Sequence, residues 1–73
     1  MYTVKLKAFG MNKKRLECAD RTEELKSLRE AMAAPFQFLF EDRNGAMGYK
    51  FTIIEWIEID KGYPLFSGTV KLN

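Results

Sequence analysis

The chain has 73 residues, of which 47% are hydrophobic and 14% aromatic, and its formal net charge is +2. This length predicts one domain over residues 1–73 with one small core, and the apolar fraction excludes a disordered tail. The single cysteine, Cys18, excludes an internal disulfide. The sequence contains no histidine, which removes the commonest general base, the commonest metal ligand and any Ser-His or Cys-His pair. We therefore expect no enzyme activity, no metal site and no cofactor.

Apolar and polar residues alternate over residues 2–9 and again over residues 15–19. Alternation with period two is typical of half-buried strands. The glycine and asparagine between the two segments suit a turn. The pattern predicts a β-hairpin over residues 2–19, with Cys18 on its buried side.

The hydrophobic period changes after Asp20. Apolar residues then recur at helical spacing, at Leu25, Leu28 and Met32. An aspartate followed three residues later by a glutamate is typical of a helix N-terminus, whereas Pro35 disfavours helical geometry at the residue before it. The sequence predicts an amphipathic helix that is capped by Asp20, ends before Pro35 and buries its apolar stripe.

Three further strands are predicted after Pro35. Residues 36–41 alternate, with three phenylalanines on one side and Leu39 on the other; Asn44-Gly45 is a strong hairpin signal; and strands over 49–60 and 65–72 follow. The predicted order is ββαβββ. This is an α+β domain in which an antiparallel sheet of about five strands carries one helix on one face.

One helix about 10 Å wide cannot cover both faces of a sheet that is roughly 19 Å across. We therefore expect the face opposite the helix to form a protein interface, because aromatic and aliphatic residues rimmed by charge are typical of such surfaces. The interface residues are predicted to be Trp56, Ile54, Leu39, Leu65 and, on the acidic rim, Glu58.

Four explanations of this apolar face remain open. The sheet closes into a small barrel, two copies pack face to face, or another protein binds there. Alternatively, a β-bulge near Glu55 turns Ile54 and Trp56 inward and removes the Glu55 carboxylate from the core.

Basic residues concentrate near the N-terminus, at Lys5, Lys7, Lys13, Lys14 and Arg15. Cations beside aromatic side chains on a sheet are typical of proteins that bind single-stranded nucleic acid. Nucleic-acid binding by this hairpin is therefore an alternative hypothesis. The structural interpretation is that solvated lysines protect an outer strand from aggregation.

The function predicted from the sequence is a non-catalytic protein–protein interaction module, with another protein or a second copy as its partner and no small-molecule substrate. In size and element order the chain resembles small phage and mobile-element proteins that inhibit host or defence proteins. The resemblance implies binding and blocking of a larger protein, but it is one of outline, so no site is transferred from it. The chain has neither the apolar run of a signal peptide nor about 20 apolar residues to span a bilayer, which predicts a cytoplasmic protein without membrane contact.

Overall fold

A computed structural model describes residues 1–72, which form one four-stranded antiparallel sheet with one α-helix packed on it. The elements in chain order are β1 (Tyr2–Phe9), two short 3-10 turns (Met11–Lys13 and Glu17–Ala19), β2 (Arg21–Leu25), α1 (Leu28–Glu41), β3 (Gly48–Glu58) and β4 (Lys61–Lys71). The strand order across the sheet is β2-β1-β3-β4. The predicted α+β class with one antiparallel sheet is confirmed, but the sheet has four strands and not five.

The second strand lies later in the chain than the alternation predicts. Residues 17–19 form a 3-10 turn, and Cys18, which was expected to be buried, is exposed. The strand that pairs with β1 is Arg21–Leu25, where a helix was predicted. Asp20 does not cap α1, and its carboxylate instead accepts a hydrogen bond from the Ala8 amide at 2.7 Å. Pairing with the open edge of β1 therefore outweighs the local helical pattern.

The helix also begins and ends later than predicted. It starts after Ser27, whose hydroxyl accepts a hydrogen bond from the Glu30 amide at 3.1 Å, and it continues through Pro35 to Glu41. A proline inside a helix removes one backbone hydrogen bond and costs about 3 kcal/mol. Pro35 is fully buried, so its packing offsets that cost. The predicted strand over residues 36–41 is therefore wrong, and this segment forms the last turns of α1.

The core lies between α1 and the face of the sheet that α1 covers. Cross-strand pairs bring Val4 beside Ile53 and Leu6 beside Phe51, and all four side chains are buried. Other buried residues of this core are Ala8, Ala19, Ala31, Leu39, Ala46, Tyr49 and Val70. Burial raises the pKa of the Tyr49 phenol, so this group stays neutral.

Two register shifts occur between β3 and β4, and the one beside Glu55 leaves the phase of β3 unchanged. Between β3 and β4 the register shifts after Ile53, so that Ile54 pairs with Pro64 and the extra residue lies on β4. Between β1 and β3 the register is continuous. Ile54 therefore stays on the face opposite the helix. The inward-turning bulge is excluded, and Glu55 instead accepts a hydrogen bond from the Tyr2 hydroxyl at 3.1 Å.

The packing of the sheet can be tested at Gly48 of β3, where β1 and β4 approach closely from both sides. A Cβ atom at Gly48 would meet the Phe9 ring and would lie 2.6 Å from the Val70 carbonyl oxygen. Because the backbone has little room to move, we expect Gly48→Ala to lower the free energy of unfolding by about 1–3 kcal/mol, measured by urea denaturation.

Gly10→Ala is the matched control, since a Cβ atom there has no neighbour closer than 4.0 Å. Equal stability of the two variants would contradict the packing described at Gly48.

Candidate functional site

The sheet face opposite α1 is polar and basic over most of its length, and Ile54 and Trp56 lie towards its other end. Lys7 lies beside Lys50 and Lys5 beside Thr52 across the β1–β3 pair, and all of these side chains reach solvent. The β4 residues on the same face are Ser67, Thr69 and Lys71. We call this surface, consisting of Lys5, Lys7, Lys50, Thr52, Ser67, Thr69 and Lys71, the basic face. The predicted apolar interface was expected on this side of the sheet.

At one end of the basic face, several cations surround a cleft of about 470 Å³. The charged residues that line it are Lys7, Lys13, Arg15, Lys50 and Lys71. They come from β1, β3, β4 and the loop after β1, so the cleft depends on the complete fold. We call this site the basic cleft.

Among the described residues, Arg15 is the one cation of the basic cleft that forms a salt bridge. Both of its terminal nitrogens donate to the Asp20 carboxylate, one of them at 2.7 Å, and Arg15 also donates to the Ala8 carbonyl oxygen at 3.1 Å. The hydrogen bond from Arg15 lowers the pKa of Asp20 to about 2. Through these hydrogen bonds, Arg15 anchors the loop of residues 10–20 to β1.

This ion pair predicts a specific loss of stability in acid. The folded-state pKa of Asp20, about 2, lies below its ordinary value of 3.8. Asp20 therefore stabilises the fold above about pH 4, and this contribution disappears as the pH falls towards 2. We expect Asp20→Asn to unfold more easily than wild type at neutral pH, with the difference vanishing near pH 2.

Urea denaturation at a series of pH values measures this difference. Asp60→Asn, at the exposed β3–β4 turn, is the control, and its stability should follow that of wild type throughout. A difference for Asp20→Asn that does not change with pH would rule out the charge-based explanation.

Trp56 lies across the other end of the sheet and is half-buried. Its indole nitrogen donates to the Thr3 hydroxyl at 2.8 Å, and that hydroxyl donates to the Glu24 carboxylate at 3.1 Å. The six-membered ring lies above Gly62, where a Cβ atom would be 2.9 Å from it. The indole therefore extends from β1 to β4, and its polar edge is satisfied within the protein.

The predicted interface residues do not form one cluster. Trp56 and Ile54 do lie on the face opposite α1. Leu39 is only 2% exposed and belongs to the core, because residues 36–41 are helical. Leu65 is the extra residue of the bulge, and Glu58 pairs with Lys61 at 3.6 Å near the hairpin turn.

Exposed large apolar side chains occur at several places in the molecule, and α1 carries more of them than any other element. Four large side chains recur every fourth residue along α1 and are 41%, 41%, 53% and 75% exposed, namely Leu28, Met32, Phe36 and Phe40. From β4, Phe66 lies on the same side, since it pairs with the core residue Ile53, and its exposure is 47%. We call these five residues the helix-side apolar surface.

Sequence reasoning missed this surface because it placed the two phenylalanines in a strand and the other helix residues in the core. The available signal was the spacing of four residues that runs unbroken from Leu28 to Phe40 past Pro35. This spacing places side chains on one stripe of a helix.

The residues predicted to bind nucleic acid are only partly brought together. Lys5 and Lys7 lie on the basic face, and Lys13 lines the basic cleft. Lys14 does not line the cleft, and Arg15 is occupied by Asp20. The missed cations are Lys50 and Lys71, whose positions depend on strand register that the sequence does not reveal.

Within residues 1–72, no group of three or more Asp, Glu, His or Cys side chains is arranged to hold a metal ion. No helix in that range has the length and apolar character required to cross a bilayer. Comparisons of the chain with protein-family models, with curated proteins and with solved structures each gave no match. A function for this chain therefore has to follow from the geometry and chemistry of its own surfaces.

Proposed function

We propose that this chain is a non-catalytic protein-interaction module that binds through the helix-side apolar surface, with a second copy of the chain as its partner. The observation that carries this proposal is the stripe from Leu28 to Phe40, whose four large apolar side chains are 41–75% exposed. Large apolar surfaces on small soluble proteins are typical of binding sites. Aromatic side chains such as Phe36 and Phe40 are common anchors of protein interfaces.

The stripe is suited to pairing with its own copy. Side chains spaced four residues apart form a ridge, and two such ridges pack into each other's grooves when helices cross at about −50°. In a two-fold pair the same patch contacts itself.

Binding to a larger protein is the inhibitor version of the same function, and it uses the same surface. The stripe and Phe66 then insert into a groove of that protein. The two versions differ in whether the purified chain associates with itself, so oligomeric state distinguishes them.

Removing the two most exposed aromatic residues of the stripe tests the proposal. We expect wild type to dimerise and Phe36→Ser/Phe40→Ser to weaken the dimer about a thousandfold, because two interface anchors of about 2 kcal/mol each together contribute about 4 kcal/mol. Sedimentation over a range of protein concentrations measures the dissociation constant.

Ile59→Ser is the matched control. It removes an apolar side chain that is 100% exposed at the β3–β4 turn, away from α1. A wild-type chain that stays monomeric at about millimolar concentration, which corresponds to binding weaker than about 4 kcal/mol, would contradict self-association. Equal weakening by Ile59→Ser would contradict the assignment to the stripe.

A further inference from the structure

We propose that the basic face binds single-stranded nucleic acid, with phosphate groups in the basic cleft and a base stacked on Trp56. This surface lies on the opposite side of the sheet from the helix-side apolar surface. The proposal is therefore independent of self-association through α1 and goes beyond it.

The strand register brings together three lysines that form no ion pair in the described part of the chain. Lys7 and Lys50 lie directly opposite each other across β1 and β3. Like charges in that position destabilise a sheet. Lys71 is a diagonal neighbour of Lys50 on the same face, because it follows Thr69, the cross-strand partner of Lys50, by two residues along β4. In the described part of the chain none of these three lysines makes an ion pair, so a bound polyanion would relieve their repulsion.

The conformation of the loop that supplies the fourth lysine also supports the proposal. Asn12 and Lys13 both have φ of 59°, in the left-handed region. This conformation costs roughly 1–2 kcal/mol for a residue such as Lys13, whereas asparagine adopts it more readily. A hydrogen bond of 2.7 Å from the Gly10 amide to the Lys14 carbonyl oxygen closes the loop. The loop is thereby held in the form that places Lys13 on the basic cleft.

The surface next to the basic cleft favours nucleic acid over an acidic protein as the ligand. A second hollow of about 610 Å³ shares Lys7 and Lys50 with the basic cleft and is also lined by Ile54 and by the hydroxyls of Thr52, Ser67 and Thr69. The hydroxyls of Thr52 and Ser67 are hydrogen-bonded to each other at 3.2 Å, which leaves one of their two protons free to donate. Lysine ammonium and hydroxyl groups both donate hydrogen bonds to phosphate oxygens.

The same face of the sheet ends at Trp56, six residues from Lys50 along β3, which is roughly 20 Å at the rise of a strand. That length suits the sites of about 4–16 nucleotides that single-strand binders use. The indole nitrogen donates a hydrogen bond to the Thr3 hydroxyl, and this bond holds the ring in place for stacking. An acidic polypeptide made of Asp and Glu has no base to stack there.

Fluorescence anisotropy with a labelled single-stranded DNA of about 12 nucleotides and mixed sequence tests the proposal. If four lysines neutralise four phosphates, the affinity of wild type should fall about 50-fold between about 50 and 200 mM salt. Lys7→Gln/Lys50→Gln removes two of these contacts, so its affinity should be lower and should fall only about sevenfold over the same range.

Lys14→Gln is the control for the loss of a positive charge near the site, because Lys14 is next to Lys13 but lies outside the basic cleft. Its affinity should stay within about twofold of wild type, since it contacts no phosphate in the proposed site. The double variant should also be at least as stable as wild type, because it removes a like-charge pair. Phe36→Ser/Phe40→Ser should bind DNA as wild type does, which separates this proposal from the function of α1.

The chain contains a single tryptophan, so its emission reports on stacking at Trp56. We expect the oligonucleotide to quench this emission, and inorganic polyphosphate to bind without quenching. The proposal is overturned by the absence of binding at about 50 mM salt, by equal weakening in Lys14→Gln, or by tighter binding of duplex DNA. Polyglutamate that competes as well as the oligonucleotide would also overturn it, because the face would then fit an acidic protein.

Discussion

The packing of α1 on β1 and β3 is the contact on which the rest of this structure depends. The helix contributes Ala31, Pro35 and Leu39 to the buried interface, all at most 2% exposed. Once these residues face the sheet, the 100° turn per residue of a helix directs Phe36 and Phe40 towards solvent. The exposed apolar stripe is therefore a consequence of how the core is packed.

The same packing gives the two sides of the sheet different characters. The side covered by α1 contains the apolar core and the helix-side apolar surface. The other side consists mainly of lysines and hydroxyls, together with Ile54 and a tryptophan that is fixed through Thr3. Because the β1–β3 register is continuous, the same pairing that buries Val4 beside Ile53 also sets Lys7 beside Lys50. The core and the basic cleft are therefore positioned by a single alignment of strands.

The sequence predicts those parts of the fold in which local pattern and tertiary structure agree. Alternation correctly indicates β1, β3 and β4, the antiparallel sheet, and the position of Trp56 opposite the helix. The sequence-based prediction fails at Pro35, where burial of the proline outweighs its local preference against a helix. It also fails at Arg21–Leu25, which was predicted to be helical but pairs with the edge of β1 as a strand. Both the strand and the helix interpretations accommodate phenylalanine at residues 36, 38 and 40. Of the cations that line the basic cleft, the sequence analysis named Lys7, Lys13 and Arg15. It missed Lys50 and Lys71, because they approach Lys7 through pairings between distant segments of the chain.

The placement of residues 36–41 in α1 is the central claim, and a comparison of Leu39→Ala with Phe40→Ala tests it most directly. Leu39 is 2% exposed and Phe40 is 75% exposed. We predict that Leu39→Ala lowers the free energy of unfolding by about 2–5 kcal/mol, whereas Phe40→Ala changes it by less than about 0.5 kcal/mol, both measured by urea denaturation at a concentration where the chain is monomeric. In a strand with its phenylalanines inward the order would reverse, so a larger loss for Phe40→Ala than for Leu39→Ala would contradict the account.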